Sequence, residues 1–96
     1  VIFVFSVGGG NLKKKISVNI IKAVKYAKKI GSKIVGIIGR KDGYTAKASK
    51  ACLVIPTVNK NSITPHTEAF HSVIWHLIVT HPKLKSNNTK WESITK

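Results

Sequence analysis

The residues of this chain that could do chemistry fall in two places. The first is Ser6 and Gly8-Gly9-Gly10, followed at a distance by Ser17. The apolar, β-branched and aromatic run Val1–Phe5 before them predicts a buried strand. A helix is predicted from about Ser17, its N-cap, to Gly31. Strand, glycine-rich turn and helix start together make an anion site, because the free first-turn N–H groups and the positive dipole end face the end of the strand. Ser6 and Ser17 would add hydroxyl groups to the N–H groups of the helix start. The plainer alternative is an ordinary glycine turn. A dinucleotide fingerprint fails, since Lys13 stands where the third glycine of G-x-G-x-x-G belongs, and the P-loop spacing fails too. Arg40 also replaces the acidic residue that would hold a ribose after the second strand.

The second place is a helix predicted over His66–Thr80. Glu68, Ser72 and His76 stand at i, i+4 and i+8, and so climb one edge of an apolar arc of Ala69, Phe70, Val73, Ile74, Leu77 and Ile78. His71 falls on the other edge, so one pocket is not expected to use both histidines. Glu68 and His76 suit proton transfer or metal ligation. Equally, a Glu near a helix start answers the dipole and a His can simply top a core. Two ligands do not make a zinc site, so zinc would need further residues. His66, His71, His76 and His81 recur every five residues, which is not one helical face.

These residues need elements to hold them. The first helix should bury Ile20, Ile21, Val24 and Ala27, with Lys22, Lys25 and Lys29 outside and Ile16 and Ile21 at staple positions. Lys33–Ile38 reads as a second strand, Gly39–Gly43 as a turn, Tyr44–Lys50 as a short helix and Ala51–Ile55 as a third strand. Such alternation with short connections implies a parallel sheet. Thr57–Pro65 reads as a polar loop, and Lys83–Lys96 as a solvated basic tail whose one candidate anchor is Trp91.

The formal charge is +14, from 17 Lys plus Arg against Asp42, Glu68 and Glu92. A polyanion partner would explain such an excess. However, only Arg40 is an arginine, and the lysines are spread over faces, loops and tail without aromatic companions. The expectation is therefore no nucleic acid and no membrane, with a basic surface that attracts a phosphorylated substrate. Hydrophobic residues at 43% supply a core and argue against disorder. The lone Cys52 reads as a small core residue and fits a reducing cytoplasmic setting. Because a parallel sheet needs cover on both faces, residues 1–82 are expected to be the C-terminal part of a larger domain, with 83–96 as its tail.

The pattern of strand, Ser6-x-Gly8, Ser17-x-Asn19, Ile34–Gly39 with Asp42-Gly43, and Ala51–Pro56 resembles the C-terminal half of a sugar isomerase (SIS) domain. The segment Thr64-Pro65-His66-Thr67-Glu68-Ala69-Phe70-His71, with His76 beyond it, is the most specific part. It is most similar to the sedoheptulose 7-phosphate isomerase (phosphoheptose isomerase) group, over about Val1 to Pro82. The resemblance implies an α/β three-layer sandwich with a parallel sheet, SIS-type and flavodoxin-like or Rossmann-like. It also implies a homo-oligomer and aldose–ketose isomerisation of a sugar phosphate through an enediol. Ser6, Gly8 and Ser17 would then hold the phosphate. His76 matches the family's helix histidine, and Glu68 stands where many members have glutamine. The two positions bind zinc in some members. Val7 replaces a hydroxyl residue, Gly9–Ile16 reads as an insertion, and the family's catalytic glutamate belongs to the N-terminal half. The rival within the resemblance is a non-catalytic phosphosugar sensor.

Overall fold

A computed structural model describes residues 1–94. Three strands, β1 (Ile2–Ser6), β2 (Ile34–Ile38) and β3 (Ala51–Val54), form a parallel sheet in the order β1-β2-β3. Ile2 pairs with Ile34 and Ser6 with Ile38, while Val35 pairs with Ala51 and Ile38 with Val54. The connections are α1 (Val18–Lys29) and α2 (Tyr44–Ala48); α3 (Ile63–Thr80) and a short α4 (Lys90–Ile94) follow the sheet. The expected alternation of strand and helix is therefore present.

One face of the sheet holds the main core. Val4, Val24, Ala27 and Ile34 are buried together, with Ile2, Ile20, Tyr44 and Ala48 against them. Side chains alternate along β1, so Phe5 points to the other face, where its ring meets that of His71 on α3 edge-on at 5.6 Å. The result is helix, sheet, helix, which fits part of an α/β sandwich. The amphipathic reading of α1 holds: Ile21, Val24 and Ala27 are buried, and Lys22, Lys25 and Lys29 are exposed. Its C-terminus closes as a Schellman motif. Gly31 takes φ +73°, Ser32 N–H donates to Ala27 C=O and Gly31 N–H to Lys28 C=O.

Three expectations need correction. Ser17 occupies the N-cap position of α1, but with φ 51° and ψ 48°, and its side chain makes no cap hydrogen bond. The left-handed backbone turns it out of the extended geometry from which a cap hydroxyl reaches the N2 and N3 amides. Cys52 lies at intermediate exposure over Gly36, not in the core. Finally, α3 begins at Ile63, three residues early, because Pro65 falls in the first turn, where a missing N–H is tolerated.

The apolar arc of α3 also faces elsewhere than expected. Val73 is 60% and Leu77 64% exposed, whereas Thr67 is buried and His71, Ile74 and Ile78 are partly so. The cause is a close contact at Gly39. A Cβ there would lie 2.6 Å from Thr67 Oγ1 and 2.9 Å from Val7 O. Only a residue as small as Thr67 fits so tight a seat. Once Thr67 faces the sheet, positions i+4, i+7 and i+11 follow it at ~100° per residue, and Val73 and Leu77 rotate away.

Candidate functional site

The glycine-rich loop follows β1, at the carboxyl end of the parallel sheet, where open α/β sheets bind ligands. Ser6 is buried, and its Oγ accepts the Gly9 N–H at 3.0 Å. Gly9 and Gly10 take φ +71° and +84°, conformations glycine adopts without Cβ strain. Their carbonyls face α2: Gly9 O accepts from Thr45 N–H at 2.9 Å, and Gly10 O from Tyr44 N–H at 2.8 Å. Thr45, fully buried, also donates its Oγ1 proton to Gly9 O at 2.8 Å. The loop therefore caps α2 with its carbonyl groups.

Asn11–Ile16 closes on itself as a small hairpin. The backbones of Asn11 and Ile16 exchange two hydrogen bonds at 3.0 Å, and Asn11 Oδ1 accepts the Lys14 N–H at 2.9 Å. Lys13, Lys14 and Lys15 stand exposed at its tip. Behind the hairpin, a cleft of about 210 Å³ is lined by Gly8, Gly10, Asn11, Lys14, Ile16, Arg40, Asp42 and Gly43. A wider depression of about 760 Å³ at the ends of β2 and β3 shares Arg40 and Asp42 and adds Lys41, Lys60 and Ile63. Arg40 donates to both carboxylate oxygens of Asp42, at 3.1 and 3.3 Å. That pairing lowers the Asp42 pKa and raises that of Arg40, both chiefly through the side-chain hydrogen bond.

Of the residues expected to bind phosphate, only Gly8 lines the cleft; Ser6 braces the turn from within, and Ser17 lies outside the lining. Sequence reasoning missed Lys14 and Arg40 as site residues. Their signal was positional: Arg40 is the second residue after β2, and Lys14 lies at the hairpin tip.

On α3, Glu68 is exposed and lines a groove of about 580 Å³ beside β1, with Phe3, Phe5, His71, Ser72 and Trp75. His71 Nε2 is buried there without a hydrogen-bond partner. His76 is outside this groove; its ring stacks on Trp75 at 3.8 Å between centroids. The groove thus takes Glu68 and His71, whereas sequence spacing linked Glu68 with His76. Among the described residues no three His, Cys, Asp or Glu side chains converge as a metal site, so Glu68 and His76 do not by themselves fit zinc. No helix among these residues is long and apolar enough to cross a membrane.

The chain matches no protein-family model, and no curated protein or solved structure is detectably similar to it.

Proposed function

We propose that this chain binds a sugar phosphate at the carboxyl end of its sheet and forms part of an aldose–ketose isomerase acting on a substrate such as sedoheptulose 7-phosphate. One observation carries the binding half of this reading. Lys14 and Arg40 converge with the glycine loop on one cleft beside the ends of β1 and β2. Cations there complement a phosphoryl group, and Arg40 offers a planar fork for two of its oxygens. The catalytic half rests on the sequence resemblance. In it, His76 moves the proton between adjacent carbons or their oxygens, Glu68 assists, and a carboxylate from outside these residues completes the reaction.

A second reading, a phosphosugar sensor without catalysis, is favoured by a different observation. Glu68 and His76 are both exposed and share neither the cleft nor the groove. Titration of the chain with sedoheptulose 7-phosphate, followed by amide NMR shifts, tests binding. The expected shifts map to Gly8–Lys15 and Arg40–Gly43, and Lys14→Ala with Arg40→Ala weakens binding roughly tenfold or more. Shifts confined to other elements would refute the cleft. Turnover by the enzyme as it occurs in the cell, against its His76→Ala variant, separates the two readings: unchanged turnover removes His76 from catalysis.

A further inference from the structure

The depression at the ends of β2 and β3 is a feature that phosphate binding in the neighbouring cleft does not use. Two tight turns wall it. In Arg40–Gly43, after β2, Gly43 N–H donates to Arg40 C=O at 3.3 Å; in Asn59–Ser62, after β3, Ser62 N–H donates to Asn59 C=O at 3.1 Å. Asn59 Oδ1 also accepts the Asn61 N–H at 2.9 Å. Each turn carries a lysine at its second position, Lys41 in one and Lys60 in the other, and both lysines line the depression. The floor between them is apolar, made by Val54, Ile55, Pro56 and Ile63. Ile55 N–H donates to Ile38 C=O at 2.7 Å, which extends the pairing past β3 and fixes that floor. Because β2 is the central strand, none of these walls belongs to the open edge of β1.

We infer that the depression is a second anion subsite, and that it and the cleft together bind a sugar bisphosphate. One phosphoryl group lies at Lys14 and Arg40, the other at Lys41 and Lys60. This inference rests on the sugar-phosphate reading of the cleft and adds a ligand class to it. Size is the first argument. The cleft alone holds about 210 Å³, less than the ~300–1,000 Å³ of ordinary small-molecule sites. The depression adds about 760 Å³ across the shared Arg40 and Asp42. Charge is the second argument. Lys14, Arg40, Lys41 and Lys60 meet one acid, Asp42, and among the described residues Asp42 pairs with Arg40. Lys14, Lys41 and Lys60 therefore face the site without a carboxylate. A phosphate monoester carries about 1.5–2 negative charges at pH 7, so one such group leaves this surface positive and two balance it. The floor is the third argument. It gives a carbon chain apolar contact, but only Thr57 and the paired Asp42 could read hydroxyl groups with side chains. Recognition thus falls on the two ends of the ligand.

Such a ligand binds without reacting. A ketose phosphorylated on its first carbon has no free hydroxyl there to become an aldehyde, so the enediol route is closed to it. It also shares Lys14 and Arg40 with a monophosphate, so the two exclude each other.

Isothermal titration of the protein as it occurs in the cell, with sedoheptulose 7-phosphate and with its 1,7-bisphosphate, tests this. The bisphosphate should bind roughly tenfold tighter at about 0.1 M salt, each exposed lysine contact giving up to about fivefold. It should displace the monophosphate one for one. Lys41→Ala with Lys60→Ala, both at exposed turn positions, should remove that advantage, keep the circular dichroism of the parent and leave the monophosphate Kd within about twofold. Lys14→Ala should weaken both ligands. Raising the salt should narrow the gap between them, since the extra phosphate acts through exposed charges. Monophosphate binding in the cleft with no gain from the second phosphate would overturn the subsite and leave the sugar-phosphate reading standing. A gain that survives Lys41→Ala with Lys60→Ala, or simultaneous binding of both ligands, would also overturn it. Binding of neither ligand would remove the sugar-phosphate reading and the subsite with it.

Discussion

Gly10→Ala tests whether the glycine loop is held in place by the core beneath it. Gly10 has φ +84°, and an added Cβ would lie 2.7 Å from Cγ1 and 3.3 Å from Cδ1 of Ile21, itself 1% exposed. Two costs result. A left-handed backbone at a non-glycine residue costs about 1–2 kcal/mol, and overpacking against a fixed side chain costs about 1–3 kcal/mol. Together they remove roughly 2–5 kcal/mol from a domain whose total stability is on the order of 5–10 kcal/mol. The two costs can be separated, because only the second depends on Ile21. Ile21→Ala alone costs about 2–5 kcal/mol through its cavity, but it opens the space that the new methyl group needs. Gly10→Ala in the Ile21→Ala background should therefore cost only the backbone share, about 1–2 kcal/mol. Urea unfolding of the four species, all in the same concentration of a stabilising osmolyte so that each stays folded, measures the difference. The expected interaction energy is about 1–3 kcal/mol in the compensating direction. Additivity within about 0.5 kcal/mol would mean that Gly10 does not rest on Ile21, and the account of what shapes the cleft would fall with it.

Thr45→Val should cost only about 1 kcal/mol in urea unfolding, because Gly9 O keeps the Thr45 N–H bond when the hydroxyl bond is lost; a loss several times larger would mean that the hydroxyl, and not the backbone, pins the loop. Partial burial raises the Cys52 thiol above its ordinary value, with Ser49 pulling it back, so alkylation by iodoacetamide should rise with a midpoint at higher pH than for a free cysteine, and Ser49→Ala should move it higher still. Since that folded pKa is raised, the neutral thiol's contribution to stability is fully present below the unfolded pKa and is lost as pH rises through the folded one. Asp42 is shifted the other way by Arg40, so any stability it adds is present above its unfolded pKa and disappears as pH falls through the lower folded value. Wild type and Asp42→Asn should therefore converge in acid, and because the pair is exposed, high salt at neutral pH should also narrow the gap.

The elements were legible because their signals are local. Val1–Phe5, Lys33–Ile38 and Ala51–Ile55 are short apolar runs, and Gly31 ends a periodic helix, so three strands and a parallel sheet follow from pattern alone. The face of α3 was not legible. Its hydropathy favours the arc containing Val73 and Leu77, but the contact between Gly39 and Thr67 sets the rotation, and nothing local to either residue announces it. The same holds for the loop. Gly8-Gly9-Gly10 reads equally well as amides aimed at an anion or carbonyls aimed at a helix, and Tyr44 and Thr45, more than thirty residues away, decide it.

That decision bears on how a phosphoryl group would be held. A loop that binds phosphate through its backbone presents N–H groups, which keep their polarity at any ionic strength. Here Gly9 N–H is taken by Ser6, and the Gly9 and Gly10 carbonyls are taken by α2, so the glycines shape the cleft while Lys14 and Arg40 supply its charge. Lys14 lies on an exposed hairpin, and Arg40 is already paired with Asp42. Binding through such groups weakens with salt, and a phosphate must compete with Asp42 for the guanidinium. Asp42→Asn should therefore tighten sugar-phosphate binding while leaving the loop's fold untouched, by amide NMR, whereas a site built on loop amides would be indifferent to it. Weaker binding by Asp42→Asn would show that the Arg40–Asp42 pair positions the fork, and that the carboxylate belongs to the site as a positioning group and not as a competitor.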